Sequence, residues 1–203
     1  MTVSSQEGAA YAVVYDLEFT AWEGSMARHW LAPGEFKEVI QIGAVKVDAA
    51  FSPQETLNLL VRPRLNRVLS PFIETLTGVT NAVLQSGGLD FAEAFARFAA
   101  FAGPLPIVAF GRDDLVLADN IRLYGLKDLP PMPAWLDIRP WLIENGIDVR
   151  GLHACDVGPA AGVPFQGQTH DGLCDALSVA AGIKALMARG GKRPGLDGKA
   201  IIP

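Results

Sequence analysis

The chain is short of several things, and each shortage narrows its class. It has 2 cysteines in 203 residues, Cys155 and Cys174, with no CxxC pair and no Cys/His cluster. That is neither a disulfide framework nor a zinc-ligand set, and two buried, reduced thiols suit a cytoplasmic protein. Positive charge is scarce: 17 Lys and Arg stand against 22 Asp and Glu, for a net charge of −5. A protein that coats nucleic acid through sheer charge would be basic, so that class is set aside. An enzyme that grips only a few nucleotides is not. No apolar run approaches the roughly 18 residues of a membrane span. Met1 to Gly8 lacks the apolar centre of a signal peptide, so no membrane partner is expected. Internal repeats and low-complexity linkers are absent.

What is present is a chain that is 50% hydrophobic, long enough for one large core without metal or disulfide staples. Residues 1–10 read as a loose arm, 11–189 as one domain, and the Gly-rich 190–203 as a tail. Tyr11–Tyr15, running on through Asp16 to Thr20, is short, β-branched and aromatic: a buried strand. Residues 21–35 carry Gly, Pro and two tryptophans without period and read as a long loop. Val39–Val47 and Thr56–Val61 read as strands joined by a turn at Ser52 and Pro53, completing an antiparallel meander. After them come a helix capped at Asp90 with Glu93 in capping-box spacing, a strand at Pro106–Phe110, and a helix from Asp113 to Tyr124. A strand at Ala134–Ile138, a helix at 140–145, a weaker helix at 152–161 and a strong one at 171–189 follow. Strands first in succession and then alternating with helices define an α/β domain with a mixed sheet.

Three acidic elements carry the chemistry. Asp16 and Glu18 are two apart on the first strand, so they share a face about 6.6 Å apart along the chain. Two anions there need water at a strand end or a hard divalent cation. Asp113 and Asp114 follow the Pro106–Phe110 strand. Asp113 is placed to cap the next helix, which leaves Asp114 in its first turn beside the strand's C-terminal end, where α/β folds gather ligands. His170 and Asp175 are five residues apart, which on one helix would set them about 140° apart. With His170 on the loop ahead of the helix, both can reach one place. Each element alone has an ordinary explanation as a capping or solvated acid.

Together, the acids of the first strand, the Asp at a middle strand–helix junction, and His170 with Asp175 on a late helix resemble the DEDDh 3′–5′ exonucleases over about residues 11–189. Leu76-Thr77-Gly78, the run Phe110-Gly111-Arg112-Asp113-Asp114, and the stretch from Gly162 to His170 are most similar to the Eri-type, histone-mRNA-trimming exoribonucleases and their bacterial relatives. Cys174 departs from that branch, which often has a second Asp before the motif acid.

The resemblance implies a ribonuclease H-like fold: a central mixed β-sheet, three antiparallel strands plus parallel ones, flanked by helices. It also implies a catalytic set of Asp16, Glu18, Asp114, His170 and Asp175. The four acids would hold two divalent metal ions, Mg²⁺ or Mn²⁺, with His170 as general base. Phe19, Thr20 and Ala21 are expected to meet the terminal nucleotide and Trp22 to stack on a base. Arg62, Arg64 and Arg67 are the densest basic cluster and candidates for backbone phosphates. Trp22 as a loop anchor and the arginines as a solvated surface are the alternatives. The expected partner is a single-stranded nucleic acid 3′ end, RNA ahead of DNA, and the product a nucleoside 5′-monophosphate. Other readings are a DNA exonuclease or a catalytically silent binding module on the same fold. A haloacid-dehalogenase-like phosphatase would need Asp in place of Glu18 and a partnered later lysine.

Overall fold

The computed structural model describes residues 10–196 and the backbone of 199–200. The expected arm therefore lies outside the described residues except for Ala10. Six strands form one sheet in the order β3-β2-β1-β4-β5-β6. They are β1 (Ala12–Phe19), β2 (Val39–Val47), β3 (Pro53–Leu60), β4 (Ile107–Ala109), β5 (Ala134–Asp137) and β6 (Lys199–Ala200). β1, β2 and β3 pair antiparallel; β1 with β4 and β4 with β5 pair parallel; β6 closes antiparallel on β5. The mixed sheet is thus as expected. The tail differs: part of 190–203 is a sheet strand, and the Trp141 Nε1 donates to the Lys192 carbonyl at 2.9 Å.

The helices are α1 (Pro71–Thr77), α2 (Asn81–Gly87), α3 (Phe91–Ala102), α4 (Asp113–Leu123), α5 (Arg139–Glu144), α6 (Val157–Ala160) and α7 (Gly172–Ala188). Side-chain alternation along β1 divides two cores. Val13, Tyr15 and Leu17 pack on one face with Phe91, Phe95 and Phe98 of α3 and Leu117 of α4. Ala12 and Val14 pack on the other with Val179 and Ile183 of α7 and Leu142 of α5. Asp16 and Glu18 continue this even-numbered row, so period 2 alone aims both acids at the α7 face.

Local chemistry sets the helix ends. Ser70 caps α1 by accepting from the Ile73 amide, Pro71 occupies the first turn, and Gly78 stops it at φ +72°. Asp90 caps α3 through the Ala92 amide at 3.0 Å, but Glu93 pairs with Arg97 and does not complete a capping box. The entry to α7 lies directly on the sheet: a Cβ on Gly43 of β2 would fall 2.0 Å from the Gly172 carbonyl carbon and the Leu173 nitrogen. Only glycine permits that approach, and it brings Asp175, one turn into α7, over β1.

Candidate active site

A cleft of about 510 Å³ opens at the C-terminal ends of β1, β4 and β5, and Asp16, Glu18, Asp113, His170 and Asp175 all line it. Asp16, Glu18 and Asp175 are buried. Ligand-type atoms of Glu18, His170 and Asp175 lie within 4.8 Å of one another. His170 sits on the loop ahead of α7 in a left-handed conformation, φ +59°, as the five-residue spacing required. Asp171, not His170, caps α7, accepting from the Cys174 amide at 3.0 Å. Gln41, across from Glu18 on β2, fixes that corner: its Nε2 donates to Asp171 Oδ2 at 2.9 Å and its Oε1 accepts from the Gly172 amide at 3.0 Å.

The fourth acid differs from the expectation. α4 starts with Arg112 at its N-cap and without a side-chain cap bond, so Asp113 and Asp114 both lie in the first turn. Neighbours on a helix point about 100° apart. Asp113 turns into the cleft toward Asp16, and its Oδ2 is buried without a hydrogen-bond partner. Asp114 turns away and is held by Arg112, whose Nε and Nη2 donate to its two oxygens at 2.8 Å. Of the two neighbours, Asp113 lines the cleft and Asp114 does not.

Crowded anions out of water resist ionisation. Burial drives the Asp16 carboxyl well above its usual range, with Asp113, Glu18 and Asp175 adding to it. Glu18 is pushed up to about 9, by burial and then by Asp175 and Asp113. Asp113 rises to about 7, chiefly through burial, against a backbone hydrogen bond from Leu17. Asp175 also rises to about 7 for the same main reason. His170 is lowered, first by burial and then by His153, whose ring stands edge-on to it with centroids 5.3 Å apart. Burial and His153 together outweigh the upward pull of Asp156.

The residues fit a divalent cation. Asp113 Oδ2 and Asp175 Oδ1 are buried and without a hydrogen-bond partner, and an all-carboxylate set with one imidazole is hard-ion chemistry.

The cleft's other wall is apolar. Phe19, Ala21 and Trp22 line it, with Met26, Phe72 and Leu76. The 21–35 loop is anchored by the Arg28–Glu35 ion pair and by Trp30, which lines the cleft while its Nε1 donates to the Thr20 carbonyl at 3.0 Å. Thr20 itself is buried outside the cleft lining, its hydroxyl donating to the Phe36 carbonyl and accepting from the Glu38 amide. Arg62, Arg64 and Arg67 line a separate cavity of about 360 Å³, where Arg64 is paired with Asp90. The cation that does line the acid cleft, Arg139, was not among the sequence candidates. Nor were His153 and Phe72; no spacing rule marks them.

A mixed α/β sheet with clustered carboxylates and a histidine at strand ends defines a hydrolase-type site. The Exonuclease family model, RNase_T, matches residues 13–181, and the chain belongs to that family. The nuclease domain of 3′hExo, a DEDDh family member bound to rAMP, is similar with TM-score 0.76 and 22% identity, over 92% of this chain and 97% of that one. Cell-death related nuclease 4 (CRN-4) gives TM-score 0.68 and 19% identity over 89% and 65%. Exonuclease X in complex with 5′ overhanging duplex DNA gives 0.59 and 18% over 89% and 93%. No curated protein matches the chain. The fold is that of the DEDDh exonucleases, and among the described residues no helix is long and apolar enough to cross a membrane.

Proposed function

We propose that the protein is a metal-dependent 3′–5′ exonuclease that removes nucleoside 5′-monophosphates from single-stranded 3′ ends, with RNA preferred over DNA. The observation that carries it is the meeting of Asp16, Glu18, Asp113, Asp175 and His170 in one cleft, with two of the carboxylate oxygens buried and unpartnered. The four acids would hold two divalent ions, Mg²⁺ or Mn²⁺. When bound, such ions neutralise charge on the phosphodiester and acidify the attacking water. His170, held neutral by its lowered pKa, accepts the water's proton at a ring nitrogen. Phe72, Leu76 and Trp22 offer the terminal base an apolar wall. Similarity to Eri-type exoribonucleases, with rAMP in the 3′hExo structure, supports RNA as the preferred strand.

The test is a time course on 5′-labelled RNA and DNA oligomers, single- and double-stranded, with Mg²⁺ or Mn²⁺ and with EDTA. Stepwise shortening from the 3′ end, abolished by EDTA and faster on RNA, is expected. Intact oligomers of both kinds in the presence of metal would overturn the proposal. Faster digestion of DNA would overturn the strand preference alone.

A further inference from the structure

We propose that Arg139 binds a backbone phosphate of the strand entering the acid cleft, upstream of the bond to be cut. This rests on the exonuclease reading and adds a contact to it. A phosphodiester chain carries a negative charge on every link, and here it must approach four carboxylates. Among the described residues lining the cleft, Arg139 is the only lysine or arginine.

Its placement suits the task. Arg139 opens α5 directly after β5, at the C-terminal ends of the parallel strands. The guanidinium is preorganised on one edge: its Nε donates to both Asp137 oxygens at 3.0 Å and its Nη2 to Oδ2 at 2.6 Å. A Cβ on Gly111 would touch it at 3.9 Å, so the group lies against the end of β4, where its charge acts on Asp113. Guanidinium has five N–H donors in a fixed fork, and the Asp137 pair occupies part of it. The Arg139 Nη1 has no hydrogen-bond partner among the described residues, and the side chain is 38% exposed. A rigid, part-desolvated fork with free donors is suited to phosphate oxygens. Arg112, by contrast, commits its donors to Asp114, does not line the cleft, and stacks on Trp135 with its Cζ 5.0 Å from the ring centre.

The experiment compares wild type, Arg139→Gln and Arg139→Lys on two substrates. One is a labelled oligonucleotide; the other is the p-nitrophenyl ester of thymidine 5′-monophosphate, which has no upstream phosphate. With Arg139→Gln, KM for the oligonucleotide should rise about 10-fold more than KM for the ester, in line with loss of one charged hydrogen-bond contact. The slope of log kcat/KM against log salt should fall by about 0.7, one counterion on a single strand. Arg139→Lys should recover part of the KM. Equal losses on both substrates would make Arg139 a balancing charge for the acids and overturn the proposal, as would an unchanged oligonucleotide KM. Inertness of the wild type toward both substrates would instead sink the exonuclease reading. Arg139 would then be judged by fluorescence anisotropy of a labelled oligonucleotide in Ca²⁺, where an unchanged Kd in Arg139→Gln overturns it. Should the single variant fold poorly because Asp137 loses its partner, the Asp137→Asn/Arg139→Gln double variant takes its place.

Discussion

Asp113 and Asp114 are adjacent and chemically identical, so substituting each by Asn tests the site assignment with opposite expected results. Asp113 is held at about 7 against an ordinary value of 3.8, chiefly by burial, with Asp114 and Asp137 raising it further against the Leu17 backbone hydrogen bond and the Arg139 charge. A carboxyl raised on folding leaves the metal-free protein at full stability below its unfolded pKa. That stability is lost as pH climbs through the folded value. At about 1.4 kcal/mol per pKa unit, the shift sets a ceiling of roughly 4 kcal/mol above pH 7. Water entering the open cleft reduces this to about 1–2 kcal/mol. In EDTA at pH 8, Asp113→Asn should therefore raise Tm by about 2–6 °C for a domain of this size. The same change should lower kcat with metal by about 100-fold or more, a stability gain joined to an activity loss. Asp114→Asn breaks the Arg112 pair, in which the arginine side chain is 50% exposed. It should cost about 0.5–1 kcal/mol and leave the rate within a few-fold of wild type. Thermal melts in EDTA, paired with oligonucleotide digestion in Mg²⁺, read both outcomes. If Asp114→Asn abolishes activity while Asp113→Asn retains it, the orientation of the first turn of α4 described here is wrong.

Three further outcomes follow from the same cluster and its supports. In EDTA, Tm should fall as pH rises from about 5 to about 8, because Glu18, at about 9, and Asp175, at about 7, both lose stability on ionising. Saturating Mg²⁺ should lift Tm and flatten that slope, and calorimetry showing no metal-dependent shift at pH 8 would speak against a carboxylate metal site. Gly43→Ala forces a methyl into the 2.0 Å gap under the start of α7, so expression as an insoluble chain, or a stability loss of about 1–3 kcal/mol with loss of activity, is expected. Trp22→Ala should raise KM for oligonucleotides by roughly 5- to 100-fold if the ring stacks on a base, the usual range for such contacts; an unchanged KM with a lowered Tm would make it a loop anchor only.

Much of the fold was legible because its signals are local. The β1 run ending in Asp16 and Glu18 has a period that fixes which face they share. Asp90 marks a helix start by cap chemistry that acts within a few residues. Asp16 and Glu18 share a face by the period of β1, and His170 can meet Asp175 because it lies on the loop ahead of α7; their combination, not any one element, resembles the DEDDh pattern. What escaped depends on contacts distant in sequence. On charge density alone the basic cluster at 62–67 reads equally as a candidate for backbone phosphates or as a solvated surface. Its backbone, however, is drawn to Glu38, whose carboxylate accepts from the amides of Arg64, Leu65 and Asn66 at 2.6–2.8 Å, and its side chains line another cavity. Arg139 stands alone in sequence and enters the cleft because β5 delivers it there.

The Asp113 and Asp114 pair shows where sequence spacing loses its resolving power. A motif written as aromatic-Gly-x-x-Asp selects Asp114 by counting, and counting assumes where the helix begins. Here the helical turn begins one residue earlier than a capping Asp113 would require, with Arg112 as N-cap. A one-residue change of phase rotates the first turn by about 100°, enough to exchange which carboxylate faces β1. Arg112 reinforces the result, since its pair with Asp114 leaves Asp113 as the acid turned toward Asp16. The Arg112–Asp114 pair thus keeps the second carboxylate of the turn away from the cleft. It follows that Arg112→Ala, which touches no acid of the cleft, should lower metal-dependent activity by freeing the Asp114 carboxylate to compete with Asp113. The loss should be smaller in the Arg112→Ala/Asp114→Ala double variant, where no unpaired carboxylate competes with Asp113 for the cleft. A double-mutant cycle on kcat with no coupling between the two positions would show that the helix start is set by β4 and Gly111 alone.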